Sequence, residues 1–453
     1  MFRSVVWLLP LVFPIVLSAG SGRIRPWKEN PYYWQYRNKP VLLLGASSSD
    51  NLFQMQHIES HLDSLCAAGG NYVRNTMSDR DPGDQRAFMR LPDGRYDLDR
   101  WNPVYWQKFE HLLKSAEKRG IIVQIEVWDR FDHSQRFWTG DPYNPRNNVN
   151  YTAQQSGLAE KYPSHPGQNR QPFFFSVPGL DGNETLLKYQ QAFVRKLLSI
   201  ALKYPNVLYC IDNETSGREE WSAYWAAFIR EAAGKRTVCI TEMWDDWNVR
   251  SGMHRRTLDH PERYDFVDIS QNAHAKGDAN WENALYVRNF LRPTPRPINS
   301  VKIYGSDART HDTNAAHAVA TFCRNLLAGM ASSRFHRPPA GLGLCTLSLQ
   351  CIRTVRKIEG IVPFWRLVPG EQPAPGVYPA EAPDGTAVLF FTRGDSVRFV
   401  PRNGVRHYEA RWYETQTGRM TSGEAKADGN SIRLSPPYAR ACFAVLIPVS
   451  GTD

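Results

Sequence analysis

The sequence contains no C-x-x-C pair, no H-x-H or H-E-x-x-H spacing, and no glycine-rich loop after its first apolar run. The first absence excludes a zinc ribbon, and seven cysteines, an odd number, argue against a disulfide scaffold. The second leaves only a loose set for a metal-dependent hydrolase, namely Asp129, Asp132, His133 and His336. The third removes the phosphate-binding turn of dinucleotide folds. Arginines are scattered, and without a basic block or a recognisable module no nucleic-acid partner is expected. The formal charge of +10 predicts only weak attraction to acidic polymers. There is no internal repeat and no low-complexity tract. Past the N-terminus no run is long and apolar enough to cross a bilayer. Neither a metal nor another cofactor is therefore expected. Cys66, Cys210, Cys239 and Cys442 lie in apolar runs and read as small buried hydrophobes. A bridge between Cys345 and Cys351, close in sequence, stays open.

What is present begins with an export signal. Arg3 is followed by the apolar stretch Val5 to Leu17 and then by Ser18-Ala19-Gly20. A charged start, an apolar middle and small residues at the end predict a signal peptide over 1–20 and a secreted or periplasmic protein. An uncleaved anchor is the alternative. Aromatic residues make up 12% of the chain, with 14 Trp, enough to stack on the apolar faces of sugar rings as well as to fill a core.

Along the rest of the chain, apolar runs alternate with helical spacings. Val41 to Leu44 reads as a first strand, and Met55, Ile58, Leu62 and Leu65 mark a helix that stops at Gly69-Gly70. Further strands are expected at Asn71–Thr76, Ile121–Val127, Val207–Ile211, Thr237–Thr241, Phe266–Ser270, Ile298–Tyr304 and Met330–Phe335. Eight strands with intervening helices predict a closed (β/α)8 TIM barrel over 21–360; a doubly wound open sheet is the rival. Between Trp128 and about Asn183 the pattern lapses into Pro, Asn, Gln, Gly and aromatics, a connection long enough to be functional or disordered. Trp128, Phe131, Trp138, Tyr143 and Phe173-Phe174-Phe175 lie in it, placed either to stack on sugars or to pack the loop onto the barrel. After Ile361 short alternating runs predict a small antiparallel β-sandwich over 361–453.

A parallel barrel carries its chemistry at the C-terminal ends of the strands. Those ends read Ser47 to Asn51, Arg74-Asn75, Glu126 with Trp128-Asp129, Asp212-Asn213-Glu214, Glu242 with Trp244-Asp245, Gln271-Asn272 with His274, Lys302 with Tyr304, and Arg334 with His336. Such a ring of polar groups would be costly if buried without partners, whereas a polar binding bowl accounts for it. Each residue also has a structural role open to it: Arg74 as the partner of a neighbouring carboxylate, Glu126 as a partner of Arg74 or Lys302, Asp129 and Asp132 as loop residues, His274 as a supporting ring.

Asn213-Glu214 at the fourth strand resembles the acid/base motif of clan A glycoside hydrolases. Arg74 in GGNYVRN and His274 after the sixth strand are placed as in that clan. The resemblance implies a general acid/base at Glu214 with Asn213 on a sugar hydroxyl. The segments ARWYETQTGR and SPPYARACFAVLIP resemble the trailing sandwich of apiosidase-like bacterial barrels, a module named for collagen binding. One departure stands out. The clan carries its nucleophilic Glu on strand seven, where this chain reads PINSVKIYG without a carboxylate. Glycoside hydrolysis normally needs two carboxylates. The first candidate for the second is Glu242 in ITEMWDDW, followed by Glu126 and Asp245; a Tyr nucleophile at Tyr304, or substrate assistance with Asp212 and Glu214, are the exceptions. The expected function is hydrolysis of a poly- or oligosaccharide, with Glu214 and Glu242 catalytic and Arg74, Glu126, Trp128, Asp129, Asn213, Trp244, His274, Lys302, Tyr304, Arg334 and His336 binding substrate. The alternative is an inactive glycan- or matrix-binding barrel.

Overall fold

The computed structural model describes residues 22–165, 170–306, 313–402, 404–405 and 407–449. The expected signal peptide at 1–20 lies outside them. Eight parallel barrel strands run as β1 (Leu43–Ala46), β2 (Tyr72–Thr76), β3 (Ile122–Asp129), β4 (Val207–Asn213), β5 (Ile240–Thr241), β6 (Val267–Asp268), β7 (Ile298–Asn299) and β8 (Ser332–Phe335). Six of them pair in the order β5-β4-β3-β2-β1-β8, and β6 pairs with β7. Single hydrogen bonds close the ring. Asp265 N donates to Ile240 O at 2.9 Å, and Ala331 N donates to Ile298 O at 2.8 Å. Gly45 in β1 is required by the close β1–β2 pairing, because a Cβ there would meet Tyr72 O at 2.0 Å.

Helices α1 (Ile58–Ala67), α2 (Pro103–Lys118), α3 (Glu184–Ala201), α4 (Glu219–Ala233), α5 (Gly252–Leu258), α6 (Gly277–Phe290), α7 (Ala315–Leu327) and α8 (Thr346–Glu359) cover the barrel. Asn102, Asn183 and Asn314 cap α2, α3 and α7 through their side-chain oxygens. Helix α6 escapes a periodicity reading because it turns the polar Asn280 inward beside Trp281, Ala284 and Val287. The barrel interior is itself polar. Gln124 Nε2 donates to Asp268 at 3.1 Å, Asn299 Nδ2 to Tyr72 Oη at 2.9 Å, and Trp34 Nε1 to Asn299 Oδ1 at 2.9 Å. These partners satisfy groups that would be expensive to bury alone.

The described part of the long segment after β3 is a packed wall. Its asparagines replace ladder hydrogen bonds: Asn144 Nδ2 donates to Trp138 O and Glu160 O, at 3.0 and 3.1 Å, and Asn148 Nδ2 to Pro142 O at 3.1 Å. Trp138, Tyr143, Phe173 and Phe174 are buried.

The C-terminal strands β9 (Val368–Pro369), β10 (Val377–Glu381), β11 (Ala387–Phe391), β12 (Val397–Phe399), β13 (His407–Glu414), β14 (Met420–Asp428), β15 (Ser431–Leu434) and β16 (Cys442–Pro448) form one antiparallel sheet, ordered β9-β10-β11-β16-β13-β14-β15-β12. It folds over a core of its own containing Leu389, Phe391, Trp412, Ile432 and Leu446. Val388, Phe390, Phe443 and Val445 alternate to the opposite face and join the barrel's core. Burial on both faces explains why AVLFF and CFAVLI are continuous apolar runs. Strand β14 gave no apolar signal because it is exposed along almost its whole length.

Two expectations about cysteine need correction. All seven are free. Cys345 precedes α8 while Cys351 lies six residues on, and helical rise separates them by about 9 Å, beyond disulfide reach. Cys66 is exposed rather than buried.

Candidate active site

The barrel mouth is organised by Arg74, which is wholly buried on β2. Its Nη1 pairs with Asp50, its Nε with Glu126 Oε1 at 2.6 Å, and its Nη2 donates to Asn213 Oδ1 at 2.8 Å. Asn213 Nδ2 then donates to Asp129 Oδ2 at 3.0 Å, which also accepts from Arg80 at 2.6 Å. Lys302 donates to Asn213 Oδ1 and lies 2.8 Å from Glu214 Oε1. Burial favours a neutral Asp50, but Arg74, backed by Arg337 and Lys302, outweighs it and holds the carboxyl well below its usual range. His336 sits 3.8 Å from Asp50. Burial, reinforced by Arg74 and Lys302, holds its imidazole neutral well below the ordinary histidine value.

Glu214 depends on a local break in the strand. Side chains alternate along β4, so Asn213 points into the bowl and its neighbours point outward toward the helices. Glu214 has φ +49°, the left-handed region that a residue with a Cβ rarely adopts. That turn swings its carboxyl back into the bowl, at a backbone cost of about 1–2 kcal/mol. There Oε1 accepts from Tyr304 Oη at 2.9 Å and from Gln271 Nε2 at 3.1 Å. The side chain keeps 15% of its surface open. Burial would raise its pKa; Lys302 and the Tyr304 hydroxyl reverse this and bring it down to about 2. Tyr304, by contrast, is held well above its usual value by burial and by the Glu214 charge, so it stays a donor.

A second carboxyl faces the same opening. Gln271 Nε2 also lies 3.4 Å from Asp245 Oδ1. Burial and the negative charge of Glu214 raise Asp245 above the usual aspartate value. The two neighbouring carboxyls are thus shifted in opposite directions, Glu214 down and Asp245 up, the kind of separation that acid/base chemistry uses.

Nine of the residues expected from sequence share this bowl: Arg74, Glu126, Asp129, Asn213, Glu214, Lys302, Tyr304, His336 and, through its 4.7 Å ring contact with Tyr304, His274. Four lie elsewhere. Glu242 is fully buried behind the sheet, where Asp212 N and Met243 N donate to Oε1 at 2.9 Å and Ser222 of α4 donates to Oε2. It shares no partner with Glu214, so the structure does not bring the expected pair together. Trp128 packs among Phe173, Phe193 and Trp225 in the core. Trp244 is buried with its indole N–H donating to Thr257 at 2.7 Å. Arg334 lies in a deeper layer, bonded to Ser47 and Val301 O. Asp50, Asp245 and Gln271 belong to the site, and their strand-end positions were the available signal. Arg80, Arg337 and Trp247 come from loops with no such signal. The loose metal set is otherwise engaged: Asp129 and Asp132 hold Arg80, and His133 Nδ1 is 2.6 Å from Asp141.

No family model matches the sequence, and no curated protein matches it. The fold does have solved counterparts. A family 5 glycoside hydrolase from Bacteroides vulgatus superposes with a TM-score of 0.62 at 12% identity, covering 95% of this chain and 94% of that one. A protein described as a glycoside hydrolase gives 0.61 at 12% identity, over 94% and 97% of the two chains. An Anoxybacillus α-amylase gives 0.55 at 10% identity, over 88% and 91%. At these identities the likeness establishes the architecture, a TIM barrel with an antiparallel C-terminal sheet.

Proposed function

We propose that this protein is a glycoside hydrolase acting on a poly- or oligosaccharide, with Glu214 as the ionised carboxylate and Asp245 as the general acid. The observation that carries the proposal is the single amide nitrogen of Gln271 between them, 3.1 Å from one carboxyl and 3.4 Å from the other. Two oxygens so held suit the roughly 5–5.5 Å spacing of a retaining pair better than the roughly 6.5–9.5 Å of an inverting one. The Asp245 proton passes to the glycosidic oxygen as the bond to the anomeric carbon breaks, and Glu214 attacks that carbon. Water then displaces Glu214, giving its proton to Asp245. Tyr304 and Lys302 hold Glu214 ionised and aimed; Arg74, through Asn213 and Asp50, fixes the frame. This assignment exchanges the role the clan resemblance implies for Glu214, and it supplies the carboxylate missing from strand seven. Similarity of fold to named glycoside hydrolases supports it as analogy.

The same reading takes 1–20 as a signal peptide, with export to the periplasm or beyond, 21–360 as the catalytic barrel and 361–453 as an accessory domain related to the module of apiosidase-like barrels. The experiment is hydrolysis of a panel of polysaccharides and aryl glycosides by the wild type, Glu214→Gln and Asp245→Asn, with the anomeric configuration of the product followed by NMR. Loss of cleavage in both variants and retention of configuration are expected. Full activity in either variant overturns its assignment. Saccharides that bind the wild type and are never cut would favour the binding alternative.

A further inference from the structure

One aromatic side chain at the rim is not used by the chemistry above. Trp247 is 62% exposed, the one aromatic among the exposed large hydrophobics of the described residues. A single exposed aromatic is unremarkable by itself; its placement is what matters. One face of the indole is stacked on His274, with ring centroids 4.1 Å apart and planes 14° from parallel. His274 lies 4.7 Å from the Tyr304 ring, and the Tyr304 hydroxyl is 2.9 Å from Glu214. The indole is therefore held in a fixed relation to the reacting carboxylate through two ring contacts.

Its loop is held as well. Asn248 N donates to Asp246 Oδ1 at 2.9 Å, Arg250 N to Asn248 Oδ1 at 3.1 Å, and His254 Nε2 lies 2.8 Å from Asp246 O. Trp247 comes two residues after Asp245. An acid delivers its proton to the oxygen that departs with the leaving group, so a platform on the acid's own loop flanks the leaving side of the scissile bond. With Glu214 as nucleophile, the sugar that undergoes attack belongs on the Glu214 side of that bond, where Lys302 and Tyr304 hold the carboxylate.

We propose that the open face of Trp247 is the binding platform for the first sugar on the leaving-group side, and that its occupant is a pyranose presenting an apolar C–H face. The proposal rests on the glycosidase reading of Glu214 and Asp245. Loss of the platform is read as about a tenfold change in affinity, which corresponds to about 1.4 kcal/mol.

The experiment compares two substrate types. Cellotetraose, xylotetraose and mannotetraose carry a sugar on the leaving side, whereas the matching glycosyl fluorides carry none. The full-length wild type, Trp247→Ala and Trp247→Phe are assayed on both. In Trp247→Ala the ratio of kcat/KM on the oligosaccharide to kcat/KM on the fluoride is expected to fall about tenfold, through KM, with most of the ratio restored in Trp247→Phe. An unchanged ratio in an enzyme that cleaves both substrates overturns the platform and leaves the catalytic reading standing. Tetrasaccharide binding is followed by tryptophan fluorescence in parallel. Binding that weakens in Trp247→Ala, in a protein that never cleaves, keeps Trp247 as a sugar contact but overturns its leaving-group-side assignment together with the catalytic reading. Equal binding by wild type and Trp247→Ala overturns the platform in that case too.

Discussion

Two carboxyl pairs arise from almost the same stretch of chain and meet opposite fates. Asp212 and Glu242 lie at the ends of β4 and β5 and are sealed between the sheet and α4, where Asp212 faces Arg130 at 3.6 Å. Burial pushes Asp212 up to about 6, and burial together with Asp212 pushes Glu242 well above the carboxylate range. Glu214 and Asp245, two and three residues further on, open into the bowl, where the first is held below and the second above its ordinary carboxylate value. The same chemistry in sequence becomes a structural latch on one face and a reactive pair on the other. The left-handed turn at Glu214 separates the two.

The sharpest way to break this comparison is to remove one acid from each pair. Glu214→Gln and Asp245→Asn are each expected to lower kcat/KM by about 10²–10⁴-fold, the usual range for a lost acid or base. Glu242→Gln should stay within about tenfold of the wild type, because an amide reproduces the hydrogen bonds of a protonated carboxyl. The Asp245→Asn loss should largely vanish on a dinitrophenyl glycoside, whose leaving group needs no proton. Steady-state kinetics on the two substrates checks all three, and a Glu242→Gln enzyme as dead as Glu214→Gln would erase the distinction.

Next in size is the frame. Arg74→Leu leaves Glu126 buried without its cation and Asp50 with Arg337 alone as its close partner, and should cost about 3–5 kcal/mol of stability, measured by urea unfolding. The pH dependence then tests the split itself. Activity requires Glu214 ionised and Asp245 protonated, so it should persist down toward pH 2 and fall on the alkaline side as Asp245 titrates above the usual aspartate value. Stability has the matching sign. Glu214, depressed in the fold, contributes fully above its unfolded value near 4.5, and that contribution is lost as pH falls toward about 2. Asp245, raised in the fold, contributes in the opposite sense, its share fading as the pH rises past its folded value. A pH–rate profile and thermal melts across the same range read both. The smallest effect is expected from Glu214→Gly, which relieves the left-handed strain and should recover about 1 kcal/mol of backbone energy while abolishing activity. Glu214→Ala, which keeps the strain and loses the same carboxylate, is the comparison that isolates it in unfolding measurements.

Much of the barrel was legible because burial writes itself into the chain. Buried parallel strands are continuous apolar runs, and all eight barrel strands fall within or beside those expected from sequence. The polar residues that close each run named most of the bowl, including Arg74, Asn213, Glu214, Lys302 and Tyr304. Trp244 and Trp247 stand three residues apart in one motif, and nothing in their composition tells which is sealed against Thr257 and which is open. The same holds for Glu242 against Asp245.

The sequence by itself therefore determined the architecture and the ring of strand ends, since periodicity and burial are properties of neighbouring residues. Which acid faces the bowl, which indole faces solvent and which carboxyl is shifted up rather than down were decided only by the tertiary structure. Those outcomes depend on one backbone torsion at Glu214, on the Lys302 charge and on the neutral amide of Gln271, brought together from strands far apart in the chain.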